Sequence, residues 1–82
     1  MQLPQVNLNG TSRDALLDQY RDAYRAINDA IDALCKAAPH GRDYQTLPAG
    51  SYNVAREEHD ARLVKLGSIK AEIEAIAIHI QD

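Results

Sequence analysis

Side chains able to hold an anionic ligand crowd the middle of the chain: His40, Arg42, Tyr44, Tyr52, Arg56, His59 and Arg62. Guanidinium groups fork onto phosphate or carboxylate oxygens. Tyrosine and arginine planes stack on nucleobases. Gly41 lets a ligand approach the backbone closely, and Asp43 can orient an arginine. A helix that starts after this corner offers unpaired N–H groups to an anion. The candidate ligand-binding set is therefore His40, Gly41, Arg42, Asp43, Tyr44, Tyr52, Arg56, His59 and Arg62, suited to a phosphorylated or nucleotide-type molecule.

The same residues support a structural reading. Arg42 and Asp43 would pair with each other or cap helix ends. His59 would be a core histidine bonded to the loop, and Tyr44 and Tyr52 would plug the top of a hairpin. The acidic Asp43, Glu57, Glu58 and Asp60 oppose an anion. Catalysis is not expected. The sequence holds no Ser-His-Asp or Cys-His arrangement and no phosphate-loop motif, leaving only His40 and His59 with Asp43 for acid–base work. His40, His59, His79 and Cys35 lack paired ligand spacing, so neither a metal site nor a cofactor is expected.

Two helices must position this corner. The first is expected over 12–38, opened by Thr11 or Ser12 as N-cap and stopped by Pro39 and Gly41. Its seam is Leu17, Tyr20, Tyr24, Ile27, Ile31, Leu34 and Ala38, with spacings of three and four. Leu16 and Ala23, Ala26, Ala30, Ala33 and Ala37 line a second stripe. Charges such as Asp18 and Arg21 fill the remaining, solvated face. Cys35 is expected as a buried, inert thiol.

Residues 39–50 form a loop, longer than a simple helix hairpin needs. The second helix is expected over 51–80 with Ser51 as N-cap. Its seam reads Tyr52, Ala55, His59, Arg62 or Leu63, Leu66, Ile69, Ile73, Ile76 and Ile80. Ala61, Val64, Ser68, Ala71, Ala75 and Ile78 make a second line. One partner helix cannot cover both faces. The expected architecture is an all-α antiparallel two-helix hairpin, one domain, dimerising into a four-helix bundle or a higher homo-oligomer. Gly67 is expected where helices approach closely. Residues 1–10 read as an extended arm, with Leu3, Val6 and Leu8 packing on a helix or pairing with another subunit.

With 82 residues and a single cysteine, the chain cannot use an intrachain disulfide to support a small core, so a partner chain is the expected support. The net charge of −3 excludes a general DNA or RNA binder. No apolar run approaches a membrane span, and Met1-Gln2-Leu3-Pro4 lacks the regions of a secretory signal. A cytoplasmic setting is expected.

From Asn7-Leu8-Asn9-Gly10-Thr11-Ser12 through Pro39-His40-Gly41-Arg42-Asp43-Tyr44 to Ala55-Arg56-Glu57-Glu58-His59-Asp60-Ala61-Arg62, the chain resembles small accessory proteins encoded by tailed phages. The resemblance carries no site residues over. It implies a role in the host cytoplasm against host defence. In architecture the chain is similar to phage helical-hairpin sponges, which oligomerise and trap nucleotide-type signals; their ligand-binding motif is absent here. Two expectations follow: sequestration of a nucleotide-type immune signal at the loop end, or docking on a host or phage protein without a small-molecule ligand.

Overall fold

A computed structural model describes residues 1–82. Helix α1 spans Arg13–Lys36, a 3₁₀ turn spans Gly41–Tyr44, and helix α2 spans Ser51–Gln81. There are no strands. The helices pack antiparallel: Lys70 meets Tyr24, while His59 shares its surroundings with Leu34 and Cys35 one end further on. The molecule is a rod of 61 × 20 × 18 Å.

Local chemistry sets the ends of each helix. Ser12 caps α1, its Oγ accepting from the Ala15 N–H at 3.2 Å, and Asp14 sits in the first turn beside the positive end of the dipole. The helix closes at Lys36, earlier than 38. The Ala37 and Ala38 N–H groups donate back to Leu34 and Cys35 at 3.0 and 3.3 Å, tightening the last turn ahead of Pro39.

The cap of α2 differs from expectation. Gly50, not Ser51, is the N-cap, with φ at 90° in the left-handed region that favours glycine. Ser51 is already helical, and its hydroxyl turns back to donate to the Pro48 carbonyl at 2.8 Å.

The seam between the helices is narrow. Only Leu17, Ile80 and His59 are buried, at 9, 2 and 5% exposure. Tyr20, Tyr24, Ile27, Ile31 and Leu34 of α1, and Leu63, Leu66, Ile73, Ile76 and Ala77 of α2, are half-buried where the two helices pack. Of the two alternatives Arg62 and Leu63, Leu63 takes the seam and Arg62 is exposed. One expected position moves: Lys70 is half-buried and Ile69 is exposed. The lysine stem lies along the apolar surface while its ammonium reaches the Tyr24 ring, so a charged residue fills a seam position.

The second line of α2 is left uncovered. Ala61, Val64, Ser68, Ala71, Ala75 and Ile78 are all exposed. Gly67 is exposed too, with open space where a Cβ would stand, so it makes no close approach within the chain. Cys35 is exposed rather than buried, because the seam passes through Leu34 and Ile31 instead. On the outer face of α1 the ion pair formed is Arg25–Asp22.

The arm folds over the far end of the hairpin. The His79 Nε2–H donates to the Pro4 carbonyl at 3.0 Å, and Pro4 and Val6 are half-buried beside Ile80. Leu8 is fully exposed, since the chain turns away through Asn7–Gly10, where the Asn9 N–H donates to Asn7 Oδ1 at 3.0 Å; Leu3 is 37% exposed. No helix is long and apolar enough to cross a membrane.

Candidate functional site

The loop end gathers the candidate residues in three groups rather than one. His40 caps the 3₁₀ turn: its Nδ1 accepts from the Arg42 N–H at 3.2 Å and lies 3.5 Å from Arg42 Nε. Arg42 thus curls onto His40 and makes no ion pair with Asp43. His40, Gly41, Arg42 and Asp43 are exposed and line no crevice.

The second group lies on one side of the hairpin top. Tyr44, Arg62 and His59 border an open crevice of about 710 Å³, with Leu34, Pro39, Leu47 and Val54 as its apolar wall. Arg62 Nη2 is 3.8 Å from Glu58 Oε2, both side chains exposed, so this ion pair holds the guanidinium only loosely.

The third group lies on the other side. Tyr52, Arg56 and His59 border a smaller crevice of about 290 Å³, together with Cys35 and Leu63. Arg56 Nη1 donates to the Tyr52 hydroxyl at 3.4 Å. Tyr52 and Tyr44 form a tilted aromatic pair, centroids 6.1 Å apart with 56° between the planes. This pair closes the top of the hairpin.

Helix geometry explains the split. Arg56 and Arg62 are six residues apart, which places them about 120° apart around α2. They flank His59 instead of converging on one anion. His59 itself points into the seam. Its Nε2 is sealed from solvent and has no hydrogen-bond partner, and no loop carbonyl reaches it. A buried polar atom left unpaired costs roughly 1–3 kcal/mol.

The chemistry available here is recognition. Tyr44 offers a stacking face, Arg62 a cation, and the wall an apolar surface. No group of three His, Cys, Asp or Glu side chains is placed to hold a metal ion. The apolar wall, Leu47 and Val54 above all, was not part of the sequence-derived set. Its one signal was Leu47 standing alone in a polar loop.

No protein-family model, curated protein or solved structure matches the chain.

Proposed function

We propose that the chain is a non-enzymatic interaction module, completed when another helical surface covers the outer face of α2. The observation that carries this reading is the exposure of Val64 and Ile78 at 69 and 50% on a helix whose other face is already packed. Burying each such side chain contributes roughly 1.5–3 kcal/mol, and the seam inside one hairpin buries only three residues. A homo-oligomer such as a four-helix assembly, or a host protein, would supply that cover. In the phage setting implied by the resemblance, the docked target is a component of host defence and the site of action is the host cytoplasm.

The test substitutes the face. Val64→Asp should leave the isolated hairpin within about 0.5 kcal/mol of its original stability, as exposed positions do, yet abolish association with any specific partner recovered from host cells. Equal recovery of that partner by Val64→Asp and the unaltered chain would remove the reading.

A second reading is favoured by the larger crevice: sequestration of a nucleotide-type signal, with Tyr44 stacking on a base and Arg62 meeting a phosphate. Thermal unfolding with nucleotides, cyclic oligonucleotides and ADP-ribose derivatives tests it. A ligand at a hundred times its dissociation constant adds ~2.7 kcal/mol. Tyr44→Ala and Arg62→Ala should cancel the shift, and Arg42→Ala should not. A panel that moves nothing sinks this reading and leaves the first intact.

A further inference from the structure

Resting on the interaction-module reading, we infer that the occupant of the α2 face is a second copy of this chain, packed antiparallel, α2 against α2′, about a two-fold axis beside Ser68 and Ala71.

The exposed line Ala61, Val64, Ser68, Ala71, Ala75 and Ile78 has spacings of three, four, three, four and three. That is a second heptad seam on the same helix. It lies about 180° around α2 from the buried seam through Leu66 and Ile73. Alanine and serine dominate its middle, which lets two helices approach closely. Val64 and Ile78 supply larger knobs at intervals.

Charge selects both orientation and register. Glu58, Lys65, Glu72 and His79 recur every seven residues along one flank of this seam, and all are exposed. In an antiparallel pair such a flank meets itself. Packing Ser68 against Ala71′, Ala61 against Ile78′ and Val64 against Ala75′ brings Lys65 opposite Glu72′ and Glu58 opposite His79′, each pair occurring twice. The other flank then sets Asp60 against Gln81′ and Gly67 against Glu74′, with no like charges opposed.

Sliding by one heptad breaks this. One direction opposes Glu58 to Glu72′ and Lys65 to its own copy; the other opposes Glu72 to its own copy. A parallel arrangement stacks Glu57, which falls on the seam line, on Glu57′ within both helices, whereas the antiparallel register meets it only with Asp82′, beyond the last helical residue Gln81. The parallel arrangement also aligns the two helix dipoles instead of opposing them.

The geometry fixes a shape as well. Because the two seams of α2 face opposite ways, the four helices lie in a layer, ordered α1, α2, α2′, α1′, not in a square bundle. From Ala61 to Ile78 the seam is only about 26 Å long. Such an interface is small, so the dimer should dissociate on dilution.

Cysteine cross-linking in a Cys35→Ser background tests this directly. Ala61→Cys and Ile78→Cys are about 26 Å apart within one chain, so a disulfide between them must join two chains. Mixing the two single variants should give a disulfide-linked heterodimer, and neither variant alone should cross-link. Self-cross-linking of Ala61→Cys would overturn the antiparallel arrangement. In sedimentation, Lys65→Glu should weaken self-association roughly tenfold, and adding Glu72→Lys should restore it. Failure of the second change to rescue overturns the register. A monomer at every concentration overturns the inference altogether. That result leaves the interaction-module reading standing or falling on the separate Val64→Asp recovery experiment.

Discussion

The Lys70 ammonium lies 5.3 Å from the centroid of the Tyr24 ring, in the middle of the seam between α1 and α2. The cation faces the negative side of the aromatic quadrupole. A double-mutant cycle with Lys70→Met and Tyr24→Leu should return a coupling of roughly 0.5–1 kcal/mol. Zero coupling in chemical denaturation would reduce the pair to simple contact.

His59 places a sealed, unpartnered nitrogen in a seam where an aliphatic residue would fit. His59→Leu removes that atom and extends the line of Leu63 and Leu66. Stability should rise by roughly 1–3 kcal/mol, with a melting temperature higher by about 4–8 °C for each kcal/mol in a chain of this size. A fall in stability would show that the imidazole gains a hydrogen bond in solution, from water or a ligand.

Two glycines should respond with opposite sign. Gly50 holds φ at 90°, so Gly50→Ala strains the start of α2 and should cost roughly 1–2 kcal/mol. Gly67 is helical with open space around it, so Gly67→Ala should stabilise α2 by about 1 kcal/mol. Urea denaturation reads both. A destabilised Gly67→Ala would mean that this position is packed against another helix in solution.

The two serines at the helix starts are not equivalent. Ser12→Ala removes the acceptor for the Ala15 N–H and should cost ~1 kcal/mol. Ser51→Ala removes only an exposed hydroxyl bond to Pro48 and leaves the Gly50 cap in place, so its cost should be smaller. Equal losses in thermal unfolding would contradict this assignment of the caps.

The departure at Ile69 and the choice between Arg62 and Leu63 share one cause. Ile69 and Lys70 are neighbours, as are Arg62 and Leu63, and each pair straddles the edge of the packed stripe. Hydrophobicity ranks Ile69 above Lys70 for burial. The helix crossing instead rotates Lys70 inward, and the Tyr24 ring makes that affordable. Cys35 differs from expectation for the same reason: it is adjacent to Leu34 on the stripe but lies outside it. At the loop end residues adjacent in sequence do not converge in space: the helix period separates Arg56 from Arg62, and the short turn leaves Arg42 folded on His40.

The sequence by itself determined the two helices, the loop between them and the second apolar line on α2. These follow from short-range effects: the three-and-four spacing, the Ser12 cap and the stop at Pro39. Tertiary structure alone decided which of two adjacent residues enters the seam. It also decided that Pro4 and Val6, not Leu3 and Leu8, close the far end over Ile80, and that His59 is sealed without a partner. Those outcomes depend on the rotation of each helix about its axis and on the path of the arm. Both are set by contacts between residues distant in the chain, which a periodic pattern leaves free by about one position in either direction.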